Sequence, residues 1–374
     1  MNQDSVRVNR IHWVRVFPLL RLFDAASLGC GLNALLLAFA CLVVSWTGSS
    51  LLNRMLSDGS ITAVCEFPWP EYARAEGTLS TDLELRESWL TTKALPSTLG
   101  SLFVSATRVC FDGWFEGRTV SLLSSHHPVP SASWILSADL MVWNALVLCF
   151  FGTAIARTVA TRFCCQTRTG LSSAVKLAGK SLRNSLLSTG LVLLFLAILR
   201  GLLFGAGVVA QWGSFGHWAV SLIWGLIVLT LVALFLMLVL GGIAWLLSLS
   251  AIGTDNCSGA EGLSRSISYV LSHRIWTACG IGIVTVVALL VRWLLELLVA
   301  VGANGLPISL RDAPTDILRR IWMLAIELIP HAAHLSVFLA GMTILYVLLR
   351  QKEDGIGTEE IDGAVLAVSG EERR

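Results

Sequence analysis

Long stretches of this chain carry almost no charge, and this feature constrains its fold more than any other. Five runs are apolar over a length that can cross a hydrocarbon core, which takes about 20 helical residues. They lie at roughly 28–46, 133–156, 186–209, 218–251 and 275–301. A sixth run, 321–349, is as long but contains several polar residues and a proline. Because a backbone in lipid must satisfy its own N–H and C=O groups, each run is predicted to be a helix.

Composition excludes a soluble domain. Of the 374 residues 55% are hydrophobic and only 14% are charged, whereas about a quarter are charged in soluble domains. Too little amphipathic sequence remains to cover six apolar helices as a soluble core. The net charge of +2 gives no reason to expect a nucleic-acid partner. The predicted fold class is all-α, a polytopic transmembrane helix bundle of about six spans, with the lipid bilayer as its surroundings and unknown protein partners.

The distribution of basic residues predicts the orientation of the spans. The loop 157–185 is rich in Lys and Arg and has no acidic residue, whereas the connection 210–217 has no charge at all. Basic loops stay in the cytoplasm. Some 27 residues precede the first run and no clean cleavage site follows it, so it is predicted to be an uncleaved span. Although Arg319 and Arg320 oppose this orientation, we expect a cell (inner) membrane protein with both termini in the cytoplasm.

The non-spanning parts divide the chain further. We expect a cytoplasmic or interfacial segment at 1–27, a first span at 28–46, an extracytoplasmic region at 47–132 and a mobile tail at 350–374. The sixth span is 321–349.

In the outer region, apolar residues at helical spacing, Leu99, Leu102 and Ala106 among them, predict a short helix on the outer surface or packed on the bundle. Cys65 and Cys110 are the only cysteines there. They are therefore candidates for a disulfide, since thiols outside the cytoplasm tend to oxidise. Alternatively, Cys110 is packed as a small hydrophobe.

The fourth run is longer than a membrane core requires. Residues 218–251 would form a helix of about 50 Å, against a core of about 30 Å. The helix must tilt, project into the cytoplasm or bend at Gly241-Gly242. Projection with some bending is favoured.

Two segments between spans look alike, which suggests an internal repeat. Gly170–Ala178 and Gly262–Val270 both begin with Gly-Leu-Ser and both place an apolar stripe at helical spacing. Each is predicted to be an amphipathic helix at the cytoplasmic surface. The repeated unit would be span, surface helix and span, at 133–209 and again at 218–301.

Three stretches carry a resemblance to a known family. They are Phe151-Gly152-Thr153-Ala154-Ile155-Ala156-Arg157, Leu263-Ser264-Arg265-Ser266-Ile267-Ser268-Tyr269-Val270, and Tyr346-Val347-Leu348-Leu349-Arg350-Gln351 with Asp354-Gly355 after it. In these the chain resembles a family of uncharacterised polytopic membrane proteins known mainly from planctomycete bacteria. The resemblance extends over about 11–363. It implies the multi-pass architecture and no established activity.

Six of the ionisable residues inside the predicted spans are predicted to form an intramembrane polar cluster. They are Arg200, Arg292, Glu296, Glu327, His331 and His334. The last three lie at i, i+4 and i+7 and share a helix face. Because a charge at the bilayer centre costs roughly 2.5–3.5 kcal/mol, these residues are predicted to face the bundle and pair. By depth, the two arginines and two glutamates belong to the outer half, and we expect Arg292 to pair with Glu296 or Glu327.

Three functions could use this polar cluster. A structural ion-pair network is the leading interpretation, and a proton or substrate path in a transporter is the second. A metal enzyme using Glu327, His331 and His334 is disfavoured because one helix face rarely supplies a whole site. The sequence therefore predicts a non-enzymatic membrane module, an organiser or partner subunit, with a small-solute or ion transporter as the alternative. It predicts no catalytic residue, metal or cofactor.

Overall fold

The computed structural model describes residues 17–56, 98–100, 102, 106, 133–167, 170–304 and 317–355. Within some helices, side chains including that of Glu327 are not described. Apart from turns and short connections these residues are helical. A 3-10 turn at Pro18–Phe23 comes first. The helices that follow are α1 (Asp24–Gly29), α2 (Leu32–Leu56), α3 (Ser133–Cys164), α4 (Leu171–Ala210), α5 (Gly213–Leu222), α6 (Trp224–Asp255), α7 (Gly259–Ser272), α8 (Arg274–Asn304) and α9 (Ile317–Asp354).

Six of these helices are long and apolar enough to cross a membrane. They are α2, α3, α4, α6, α8 and α9. This confirms the prediction of an all-α bundle with six spans. The spans extend beyond the apolar runs at several ends, and α9 continues through Pro330 without a break.

Helix α9 is the centre of the bundle. Every residue from 332 to 349 is buried, and α9 packs against α1, α2, α3, α6 and α8. Small residues allow this close approach: a Cβ added at Gly341 would lie 2.5 Å from Val284 of α8, and one added at Gly280 would lie 2.5 Å from Leu345. The N-terminal segment is held to the same helix, because Ser336 Oγ donates a 2.7 Å hydrogen bond to the carbonyl of Gly29.

The peripheral helices have the opposite character. Only 17% of the most apolar stretch of α4, and 22% of those of α6 and α8, is buried inside the protein. Large apolar side chains such as Leu194 and Phe235 are more than half exposed. In a membrane protein such surfaces face lipid or another protein, so α4, α6 and α8 lie at the outside of the bundle.

The two predicted surface helices differ from one another. The second is a separate helix, α7, which ends at Ser272 because His273 has a non-helical backbone, with φ −121° and ψ 50°. The first is not separate: residues 171–210 form one unbroken helix. Nothing between Lys180 and Leu186 stops a helix, so the amphipathic part continues directly into the span.

The fourth apolar run is divided differently from the prediction. Residues 213–222 form the separate helix α5, and a turn at Ile223 leads into α6. Helix α6 then runs without interruption through Gly241 and Gly242 and reaches Asp255. The extra length arises from a short helix at one end and an extension at the other, and the helix has no break at the glycine pair.

The outer region is described at only a few residues. Leu99, Leu102 and Ala106 have helical backbones, and Leu99 and Ala106 are buried against the core. At these described positions the predicted helical backbone and packing on the bundle are confirmed. Cys65 and Cys110 lie outside the described residues, so the disulfide stays a prediction.

Candidate functional site

An ionic cluster forms where α6 ends. Asp255 is the last residue of α6, and its side chain is only 9% exposed. Its Oδ1 lies 2.5 Å from Nη1 of Arg350, and its Oδ2 accepts a 2.8 Å hydrogen bond from the hydroxyl of Tyr346. Both partners belong to α9. Arg265 of α7 lies 3.9 Å from the same carboxylate. A buried carboxylate therefore joins three helices.

Helix α7 is attached to the central helix by a second carboxylate. The hydroxyl of Tyr269 donates a 2.7 Å hydrogen bond to Oδ2 of Asp354, which also lies 3.8 Å from Nε of Arg350. On α7 itself, Arg265 pairs with Glu261 at 2.5 Å. We call this set the Asp255 cluster: Asp255, Glu261, Arg265, Tyr269, Tyr346, Arg350 and Asp354.

Contacts beside the Asp255 cluster hold the junction of α7 and α8. Nε2 of His273 lies 2.8 Å from Oε2 of Glu353, and Ser272 donates to the other oxygen of that carboxylate at 3.2 Å. The ammonium of Lys352 stands 4.3 Å from the ring centre of Trp276, within cation–π range. The break between the surface helix and the next span is thus fixed to the end of α9.

Burial and neighbouring charge set the protonation of two groups outside the spans. Burial, followed by the hydrogen bond to Asp354, raises the pKa of the Tyr269 phenol, which therefore stays a neutral donor. Burial, with the negative charge of Asp255 next to it, raises the pKa of the Cys257 thiol. A thiol held in its protonated form is a poor nucleophile. These groups are suited to holding structure.

Helices α3, α4 and α6 cross closely at the same end. At Gly253 an added Cβ would lie 2.8 Å from that of Ala156. The buried Arg157 donates from Nη1 to the carbonyl of Thr254 at 3.2 Å, which satisfies an orphan carbonyl near the end of α6. Asn184 of α4 donates to the carbonyl of Cys257 at 3.2 Å. The last turns of α3, α6 and α9, the part of α4 around Asn184 and the beginning of α8 therefore lie together.

The predicted intramembrane cluster is brought together only in part. Nε of Arg292 lies 2.6 Å from Oε1 of Glu296, so the expected pairing of Arg292 is confirmed. His334 is completely buried. Neither ring nitrogen of His334 has a hydrogen-bond partner among the described residues. The side chain of Glu327 is outside the described set.

Arg200 does not join this group, which corrects the expectation that four charges neutralise one another. It lies on α4, which packs on α3, α5, α6 and α7 and makes no substantial contact with α8 or α9 in the described parts of the chain. Its Nη1 is buried and has no hydrogen-bond partner there. Equal depth in the membrane does not place two side chains on the same side of a bundle.

The Asp255 cluster was missed by sequence reasoning, although its parts were in view. Residues from two of the stretches that carry the family resemblance supply Arg265, Tyr269, Tyr346, Arg350 and Asp354, and Arg157 of the other stretch binds one residue away, at Thr254. Asp255 itself belongs to no motif. The available signal was an acidic residue at the end of an apolar run. Basic and phenolic residues at the ends of other spans could have been recognised as its partners.

Within the described ranges, no three His, Cys, Asp or Glu side chains are placed to hold a metal ion. An open groove is lined mainly by apolar residues of α3, α4 and α6, with Leu102 and Ala106 of the outer region. Trp245 is one of its lining residues, and its indole N–H donates to Thr189 at 2.8 Å.

No family model matches the chain, and no curated protein or solved structure matches it either. The family resemblance stays a prediction, and the function must be argued from the geometry.

Proposed function

We propose that this protein is a non-enzymatic multi-pass membrane module, an organiser or partner subunit. The observation that carries the proposal is the state of α9, which is buried from 332 to 349 and tied at its end by the Asp255 cluster. Alternating access requires one part of a transporter to rock against another around a central site. A central helix that is packed on most of the other helices and held by the buried Arg350–Asp255 ion pair suits a rigid body better.

The proposal includes an orientation. The basic loop 157–185 joins α3 to α4, and Asn184 contacts Cys257 beside the Asp255 cluster. The positive-inside rule then assigns this end of the bundle to the cytoplasm of a cell membrane. Since six spans return the chain to the side where it started, both termini are cytoplasmic in this proposal.

The proposal also includes the internal duplication. The connections after α3 and after α6 both contain a residue with left-handed backbone, Gln166 with φ 51° and Asn256 with φ 52°. Each then enters an amphipathic helix through an extended residue, Gly170 or Ser258. Shared turn geometry at matching places supports the descent of both units from one ancestral unit. The break before the second span would then have been lost in the first unit or gained in the second.

A transporter is the second candidate, and one observation favours it. His334 is completely buried, and its ring nitrogens have no hydrogen-bond partner in the described part of the chain. Ionisable groups at this depth are typical of proton relays.

Reconstituted protein distinguishes the two candidates. The protein is placed in liposomes that enclose a pH-sensitive dye, and proton flux is driven by a potassium diffusion potential. We expect flux at the level of empty liposomes for the wild type and for His334→Leu, and a lower melting temperature for Glu296→Gln. Flux well above that level, abolished by His334→Leu while the melting temperature is unchanged, would establish the transporter and refute the module.

A further inference from the structure

Three basic side chains of α4 form a stripe that the rest of the protein leaves unused. Lys176, Lys180 and Arg183 are exposed, and they lie at i, i+4 and i+7. At about 100° per residue they fall within about 60° of one another on the helix surface. None of the three has an ion pair or hydrogen bond to another described residue. We call them the α4 basic stripe.

Other cations at this end of the bundle are engaged. Arg265 pairs with Glu261, Arg350 pairs with Asp255, and Lys352 stands over an indole ring. The buried face of α4, with Ala174, Leu177 and Ser181 among its residues, packs on the bundle. The α4 basic stripe therefore faces away from the protein with its charge uncompensated by the described residues.

The stripe is continuous with the lipid-facing surface of the same helix. Leu187, Leu194 and Ile198 are about half exposed or more, and the helical period places them within about 40° of Lys176. One face of one unbroken helix thus carries apolar side chains along the span and cations just before it. At a rise of 1.5 Å per residue, Arg183 lies about 6 Å and Lys176 about 16 Å from the level of Leu187.

The spacing places the stripe at and just outside the polar layer of a membrane. The headgroup region adds roughly 5–7 Å on each side of the hydrocarbon core, so Arg183 lies within it, and Lys180 and Lys176 follow on its water side, within about a Debye length of the headgroup charges. We propose that the α4 basic stripe is a binding site for the phosphate headgroups of anionic phospholipids. The lipid tails would then lie along Leu187 and Leu194. The site is independent of whether the protein is a module or a transporter.

Lipid binding to the purified protein tests this site. The protein in neutral detergent is mixed with equal amounts of phosphatidylglycerol and phosphatidylcholine, and bound lipid is counted by native mass spectrometry. The wild type should prefer phosphatidylglycerol. A factor of roughly five per basic side chain at a membrane surface gives a loss on the order of 100-fold in its affinity for Lys176→Gln, Lys180→Gln and Arg183→Gln combined.

Matched variants keep the result decisive. Lys176→Arg, Lys180→Arg and Arg183→Lys combined retain the charge and should retain the preference, whereas single Lys180→Gln should lose about fivefold. The melting temperature without lipid should be the same in all variants, since these side chains are exposed and make no ion pair or hydrogen bond to a described residue. Inorganic phosphate should compete no better than chloride at equal ionic strength. Undiminished preference in the neutral triple variant, or displacement by phosphate alone, would overturn the site.

Discussion

Removing the charge of Asp255 should cost far more stability than its position at the end of a helix suggests. The substitution Asp255→Asn keeps the size of the side chain and one oxygen that can accept from Tyr346. It removes the carboxylate that lies 2.5 Å from Arg350. The guanidinium of Arg350 is only 14% exposed and would keep Asp354 at 3.8 Å as its remaining partner.

The magnitude follows from that loss. Breaking a buried ion pair by removing one partner costs roughly 3–5 kcal/mol when nothing compensates. Because Arg350 keeps a weaker partner, we expect about 2–3 kcal/mol, the range of one hydrogen bond between charged groups. Arg350→Gln combined with Asp255→Asn should be less destabilising than the sum of the two single changes, with a coupling of about 1 kcal/mol or more.

Equilibrium unfolding in detergent micelles with rising SDS fraction, followed by tryptophan fluorescence, measures these free energies. Asp24→Asn is the matched control, because Asp24 is exposed and has no ion pair to a described residue. It should change the free energy of unfolding by less than about 0.5 kcal/mol. If Asp255→Asn lowered the free energy of unfolding no more than the control, or if the effects of the two single changes were additive, the Asp255 cluster would not hold α6 to α9 as described above.

Three further predictions concern other parts of the bundle. Gly253→Ala should lower the free energy of unfolding by about 1–3 kcal/mol, because its Cβ would lie 2.8 Å from that of Ala156, whereas Gly242→Ala, with open space around it, should not; SDS unfolding of both variants checks this. Burial and a carboxylate neighbour raise the pKa of Tyr269, so its stabilisation is complete below about pH 10 and is lost as the pH rises through the raised value; melting curves from pH 8 to 11 should fall more steeply for the wild type than for Tyr269→Phe. His334→Leu should leave the melting temperature unchanged or raise it, since it removes two buried nitrogens that lack partners among the described residues; a clear fall would show that the imidazole makes a stabilising interaction.

The spans were predictable because their signal is local and strong. Around 20 apolar residues in lipid admit few structures other than a helix. The pairing of Arg292 with Glu296 was predictable for the same reason, since residues at i and i+4 are neighbours on any helix. That α9 would be the central helix was not apparent, because its polar residues made it look the least regular of the six.

Features that depend on distant parts of the chain could not be predicted in this way. An amphipathic stripe does not say where the chain bends, so the sequence alone did not distinguish the continuous α4 from the separate α7, which ends only because His273 leaves the helical conformation. Asp255 and Arg350 meet across 95 positions of sequence. Arg200 was grouped with Arg292 by depth alone, although direction around the bundle decides which side chains meet.

The sidedness of the bundle tests the central claim most directly. Ser172 near the start of α4 and Ser214 at the start of α5 are both exposed, and they lie near opposite ends of α4. Each is changed to cysteine in a variant whose native cysteines are replaced by serine, and intact cells are treated with a membrane-impermeant maleimide. A six-span module with its Asp255 cluster in the cytoplasm predicts labelling of Ser214→Cys alone, with Ser172→Cys reacting only after the cells are opened. Labelling of Ser172→Cys in intact cells, with Ser214→Cys protected, would contradict the orientation.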